Sequence, residues 1–371
     1  MDLYVYDKAF NLLGLIDDYE SLVWTRNFYK AGTFELNATL PVKDEEVARY
    51  LSLMKRGNII VKDDNPSEAA LIQTIIITGT KSERIKVGGI FLGGLLSRRI
   101  VWGQQEYAGT IESVMKSFVT ANCITPTNPN RVIPNLITAS NNGINVPAQE
   151  IALDVQLDEY FEELATKYDV GWRVLFDGEN NRYVFDVYRG LDLSVEQSAN
   201  PQAIFSLEYE NVNNQTLTDS ESGYKNMAVV TGAGELHERK TVLVNDNLAG
   251  FNRYEIYVNG SSVRNEREDG SEISPAEYEA MLAEYGRLEL SGAYRIFTLE
   301  SDINVFSNLV YRQDFDLGDI VTIENNRWGV SLNTRITSVE ETYAKNLMDV
   351  RVSFGNNVPT LLEKIKKAVK K

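Results

Sequence analysis

Cysteine and histidine are almost missing from this chain: 371 residues hold one of each, alongside nine prolines. With Cys123 alone, no intrachain disulfide can form. Its place at the end of an apolar helical pattern makes it a small buried hydrophobe rather than a reactive thiol. A single histidine, His237, excludes histidine-rich metal sites and leaves one candidate for any imidazole-dependent triad. No stretch is apolar for long enough to span a bilayer. The most apolar, Ile72 to Thr78, has strand length and is broken by Gln73 and Thr74, so membrane insertion is not expected. The opening Met1-Asp2-Leu3-Tyr4 lacks the basic region and apolar core of a secretory signal, so synthesis in a cytoplasm is expected. Low-complexity tracts and short internal repeats are also lacking.

What is present is ordinary in amount and uneven in distribution. Hydrophobic residues make up 43% and charged residues 24%, values of a globular chain long enough for two to three cores. The formal net charge is −16. The segment Thr360–Lys371 carries five lysines against Glu363, a net of +4, and leaves −20 on the rest. Such a body repels nucleic acid unless its negative surface lines a passage.

Period-two patterns dominate both ends of the chain. Phe34, Leu36, Ala38 and Leu40 alternate with polar residues, Ile59 to Val61 and Leu71 to Thr78 read as a hairpin around Asp63-Asp64-Asn65-Pro66, and Glu83 to Val87 adds a strand. Asp44 opens a short helix with Val47, Tyr50, Leu51 and Met54 on one stripe. From about residue 106 helical spacing appears, at Ile111, Val114, Met115, Phe118 and Val119 and again at Leu157, Tyr160, Phe161 and Leu164. The second helix leads into a hairpin, Gly171 to Phe176 and Tyr183 to Tyr188, giving an α+β module. Strands resume at Ala203 to Glu208 and Tyr224 to Glu235. Ser274-Pro275-Ala276-Glu277 is a capping sequence for a helix with Tyr278, Met281, Leu282 and Tyr285 on its apolar stripe.

The closing segment holds a turn, Asp316-Leu317-Gly318-Asp319, in which glycine permits positive φ and aspartates can bond backbone amides. Met348, Val350, Val352 and Phe354 then alternate with Asp349, Arg351 and Ser353. A final amphipathic helix is expected with Leu361, Leu362, Ile365 and Val369 on one side and Lys364, Lys366, Lys367, Lys370 and Lys371 around the rest. At that length it needs a partner surface.

Enzyme signatures do not survive inspection. His237 stands among Glu235, Glu238 and Arg239 without a local nucleophile motif. The run Gly88 to Gly94 lacks the lysine and hydroxyl of a phosphate loop. Asp314, Asp316 and Asp319 crowd one turn, but their spacing does not match a calcium loop. Paired carboxylates such as Asp17-Asp18, Asp63-Asp64 and Glu340-Glu341 are too common for one pair to stand out. No cofactor, metal or catalytic residue is expected.

Four stretches in fixed order resemble one family. They are Leu3 to Asp7 with Ile16 to Arg26 and Gly32 to Leu36; Val87 to Arg99; Lys225 to Gly232 with Gly250 to Glu255; and the Asp314-Phe315-Asp316-Leu317-Gly318-Asp319 turn. Together they are similar to the tail-tip hub proteins of siphophages, the baseplate-hub-like family. One departure is visible: Ala233 and Gly234 precede Glu235, where the family has an acidic Gly-Glu-Gly.

The resemblance implies a β-rich α+β fold in which two tail-tube-like β-barrels build a ring, with peripheral α+β modules. It suggests a first barrel block over 1–105, a peripheral module over 106–200, joining strands over 201–249 and a second α+β insertion over 250–305. Closing strands of the second barrel would occupy 306–358 and the basic C-terminal helix 359–371. The function implied is structural: a homotrimer of pseudo-sixfold symmetry at the virion tail tip, assembled in the bacterial cytoplasm. A distal tail or tube ring would sit above and a tip, fibre or spike protein below. Tape-measure protein and DNA would pass through the lumen without specific binding. In that setting Asp314, Asp316, Gly318 and Asp319 are turn and interface residues, and Leu361, Leu362, Lys364, Ile365, Lys366, Lys367 and Lys370 dock a partner. Two other readings stay open, a tail-associated cell-wall hydrolase and a receptor- or carbohydrate-binding tail module, the latter favoured by 19 Tyr, 14 Phe and 4 Trp.

Overall fold

The computed structural model describes residues 1–79, 83–234, 239–266, 271, 273–304, 306–344 and 347–355. His237 and the whole C-terminal docking segment, Leu361 to Lys370, lie outside the described residues. The chain divides into two compact units, one of residues 1–216 with 299–355, the other beginning at Leu217 and ending its described part at Thr298.

The first unit opens with β1 (Leu3–Tyr6), β2 (Leu12–Ile16), β3 (Ser21–Asn27) and β4 (Thr33–Thr39), then α1 (Asp44–Leu53). Next come β5 (Ile59–Lys62), β6 (Asn65–Thr78) and β7 (Arg84–Phe91). The Gly88–Gly94 run ends β7 and enters a 3-10 turn, Leu92–Arg98. The α+β segment follows: β8 (Gln104–Thr110), α2 (Ile111–Val119), β9 (Leu136–Thr138), β10 (Pro147–Leu153), α3 (Leu157–Tyr168), β11 (Gly171–Asp177) and β12 (Arg182–Tyr188). Thr110 caps α2 reciprocally with Ser113, which satisfies amides the helix itself cannot. After α2 the backbone widens into a single π turn, Thr120–Ile124, that buries Cys123.

Then β13 (Ile204–Ser206) and β14 (Val212–Ser220) lead out of the first unit. The second unit holds β15 (Met227–Thr231), β16 (Thr241–Val244), β17 (Glu255–Asn259) and α4 (Pro275–Ser291). Its sheet has the order β16-β15-β17, with β15 and β17 parallel. Ala228, Val230, Val244 and Val258 pack with Tyr278, Met281 and Leu282 of α4. Ser274 caps that helix by accepting from the Glu277 amide at 3.3 Å, a contact that stabilises by about 1 kcal/mol.

Through β18 (Ile296–Ile303) the chain re-enters the first unit and ends in β19 (Ile320–Asn325), β20 (Val330–Ala344) and β21 (Leu347–Gly355). The main sheet of this unit runs β21-β20-β3-β4-β7-β6-β5-β1-β2, and β19 pairs with both β20 and β13. Chain beginning and chain end therefore meet at its centre, where Glu341 stands opposite Trp24 and Val339 opposite Arg26. Among the described residues β2 does not return to pair and close this path into a barrel. The core is the inward parity of these strands: Leu22, Trp24, Phe34, Leu36, Ile60, Ile72 and Val87. Along β21, Val350, Val352 and Phe354 are buried as their alternation requires. Met348 on the same face is 36% exposed, because the hairpin end leaves it uncovered.

Candidate functional site

Alternation along β3 places Leu22, Trp24 and Arg26 inward, and along β20 it places Val339, Glu341 and Tyr343 inward. A charge thus sits at an apolar position on each of two paired strands. Lys62, at the end of β5, is a third charge with no exposed surface. Burial of single charges on this scale is prohibitive, so each must be paired.

The pairs form one connected network. Lys62 reaches Glu341 and the Tyr343 hydroxyl, the latter at 3.2 Å, with Asp64 at 3.5 Å. Its ammonium also lies 5.3 Å from the Trp24 ring centre and 5.1 Å from that of Tyr343. Glu341 further accepts from Tyr311 at 2.8 Å, Arg312 at 2.7 Å and Tyr343 at 2.7 Å. Arg26 donates to Glu68 at 2.6 Å, to the Tyr311 hydroxyl at 2.7 Å and to Asp316. Tyr311 therefore bridges the two halves, accepting from Arg26 and donating to Glu341.

Electrostatics follow from this packing. Burial opposes ionisation of Glu341, but Lys62 and Arg312 outweigh it and hold the carboxyl down at about 2. Arg26 is likewise buried, yet Glu68, Tyr311 and Asp316 keep it charged well above the ordinary guanidinium range. Burial drives the Tyr311 hydroxyl upward, so it stays a neutral bridge. Arg312 adopts a left-handed φ of 68°, a conformation worth about 1 kcal/mol of strain, retained by its pairs to Glu341 and Asp64.

The four turn residues singled out in the sequence border this network. Asp316 accepts from Arg26 and from the Leu317 amide at 2.7 Å. Asp319 accepts from the Leu191 amide at 2.7 Å and the Asp316 amide at 2.8 Å, and burial raises its carboxyl. Asp314 accepts from the Val310 amide at 2.7 Å. The Asp319 amide donates to the Asp316 carbonyl at 3.2 Å, closing a turn with Gly318 at φ +93°. A Cβ on Gly318 would meet the Phe28 ring at 2.5 Å, and one on Gly190 would meet the Gly318 carbonyl at 2.1 Å. Arg335 completes the clasp by donating to the Gly318 carbonyl and to Asp169, with its guanidinium 5.0 Å from the Phe28 ring centre.

Arg26, Lys62, Glu68, Tyr311, Arg312 and Glu341 were not singled out in the sequence. The available signal was parity: arginine and glutamate at inward positions of otherwise apolar strands. Chemically the arrangement is a cross-link. It ties the chain end to β3, β5 and β6 by charge-assisted bonds. Among the described residues no group of three or more histidine, cysteine or acidic side chains is placed to hold a metal ion. Burial pushes the Cys123 thiol up to about 12 against the pull of Arg99 and Arg131, leaving it unreactive.

Residues 2–356 match the family model described as Siphovirus ReqiPepy6 Gp37-like protein. No curated protein matches the chain. Among solved structures, the chain is similar to the 43 kDa tail protein of prophage MuSo2 from Shewanella oneidensis. The TM-score is 0.58 at 12% identity, over 95% of this chain and 98% of that one. The tail protein from Neisseria meningitidis MC58 gives 0.53 at 13% identity, over 96% of each chain. Prophage tail protein gp18 from Listeria monocytogenes EGD-e gives 0.51 at 10%, over 100% of this chain and 99% of that one. At these identities it is the fold that is shared.

Proposed function

Since the chain belongs to the Siphovirus ReqiPepy6 Gp37-like family, a family of tail proteins with a structural role, we propose that it is the hub subunit of the tail tip. Three copies form a ring of pseudo-sixfold symmetry that joins the tail tube to the tip. Each copy contributes two tube-like β segments, over 1–105 and 306–358. The α+β segments 106–200 and 250–305 lie at the ring's periphery. A tube or distal-tail ring binds above, a spike or fibre protein below, and tape-measure protein and DNA pass through the lumen. The role is non-enzymatic.

One observation carries this reading: the match to the family spans 2–356, and the same span shares its fold with three tail proteins, two of them from prophages, at nearly full length. The network around Glu341 supports it physically. A ring that transmits load needs early and late strands of the chain that do not peel apart, and the buried ionic pairs between β20 and β5 resist that opening when every partner is retained. Asp314, Asp316, Gly318 and Asp319 then act as turn and interface residues at the seam. Native mass spectrometry with negative-stain microscopy tests the reading: a trimer with a central hole is expected, and a strict monomer at high concentration counts against it. Zymography on cell wall separates this role from that of a hydrolase, which would clear the gel.

A further inference from the structure

Between the 3-10 turn Leu92–Arg98 and the loop Pro129–Arg131, the surface of the first unit carries a cationic, apolar patch. Trp102 is 60% exposed, Ile100 41% and Val132 38%. The Arg131 guanidinium lies 5.5 Å from the Trp102 ring centre. It donates to the Ile100 carbonyl and, at 3.3 Å, to Asn122 Oδ1. Arg99 donates to the carbonyls of Arg131 at 2.6 Å and Arg98 at 2.8 Å. Both guanidinia are thus anchored by neutral oxygens, which hold their position and leave their charge uncompensated. Arg98, exposed at the end of the 3-10 turn, adds a third. Among the described residues none of the three meets a carboxylate. The nearby Asp154 carboxylate accepts from the Gly103 amide at 2.8 Å.

Tryptophan and arginine beside exposed aliphatic side chains are the composition of interface anchors, and pre-positioned guanidinia lose little freedom on binding. A complementary face exists on the same unit. Val42 is 99% exposed just before α1, whose first turn presents Asp44, Glu45 and Glu46. The Tyr50 hydroxyl donates to the Asp18 carbonyl at 3.0 Å, which brings Asp17 and Asp18 to the same helix. Of the bases there, Lys43 is paired with Glu46 at 3.2 Å and Arg49 lies one turn further along. This face is an apolar residue within carboxylates, the inverse of the Trp102 patch.

We propose that the Trp102–Arg98–Arg99–Arg131 patch of one subunit receives the Val42–Asp44–Glu45–Glu46 face of a second copy of this chain. The two faces differ, so the contact is heterologous, the kind that closes into a ring. The inference rests on the ring reading above and specifies which surfaces make it. In a body of net charge −16, copies repel one another at long range, and a cationic patch selects both the partner face and its orientation.

Sedimentation equilibrium of the full chain tests it with variants that spare the carbonyl-anchored arginines. The double variant Arg98→Glu/Trp102→Ala is expected to weaken self-association about tenfold or more with an unchanged melting temperature. Arg98→Glu alone is expected to weaken self-association, and adding Asp44→Lys, which leaves opposite net charges on the two faces, is expected to recover most of that loss. If the native chain assembles and Arg98→Glu/Trp102→Ala assembles equally well, this contact is overturned and the ring reading stands. If Arg98→Glu is not recovered by Asp44→Lys, the pairing of these two faces is overturned. A native chain that is monomeric throughout overturns both.

Discussion

Lys62 and Glu341 neutralise one another in the interior, so removing one leaves its partner short of a counter-charge. Lys62→Met is expected to cost about 3 kcal/mol, read from the midpoint of urea unfolding, since Arg312 only partly replaces the lost charge. The double variant Lys62→Met/Glu341→Met should cost less than the sum of the two single changes. Acid acts on the same pair. Glu341 titrates at about 2 in the folded chain against an ordinary 4.5, so the unfolded chain takes up its proton first as pH falls. The stability it adds, about 3 kcal/mol, is whole above pH 4.5 and is lost as pH drops toward 2. Glu341→Gln should flatten stability against pH across that window; an unchanged slope there would sink the assignment. Gly318→Ala forces a side chain into φ +93° and onto Phe28, with an expected loss of about 2 kcal/mol in the same measurement.

At the scale of elements, local pattern was a good guide wherever periodicity and burial coincide. The stripes of α2, α3 and α4 and the alternation of β4 and β21 were all legible, because each depends on residues within one element. Met348 shows the limit: parity assigns a face, but what covers that face is decided by distant chain. Over Leu92–Arg98 the chain forms a 3-10 turn, and paired glycines at 93 and 94 weaken regular α-helix there. Parallel pairings, β15 with β17 and β13 with β19, join segments far apart in sequence and leave no local signal. The expected C-terminal helix, Leu361 to Lys370, belongs to this scale too. Deleting Thr360–Lys371 should leave the thermal transition of the remaining chain unchanged and abolish co-sedimentation with the adjoining tip component. Undiminished co-sedimentation would show that the lysines dock nothing.

For the whole molecule the decisive quantity is charge. A lumen lined by part of the −20 outside the C-terminal segment would let DNA slide without adhering. The assembled protein is therefore expected not to retard duplex DNA in a gel even at low salt, and a shift that salt abolishes would contradict an acidic lumen. By itself the sequence determined the β-rich α+β character, the helix and strand faces and the family, since these rest on local periodicity and on ordered turn motifs. Only the tertiary structure shows which groups the closing turn contacts. Asp316 and Asp319 had looked like turn aspartates. Folding brings Asp316 to Arg26, some 290 residues away, and sets it beside a network whose members, Lys62, Glu68, Tyr311 and Glu341, come from four separate segments. Pairing of these buried charges is a property of three-dimensional proximity, and no short window of sequence contains Arg26 with Asp316 or Lys62 with Glu341.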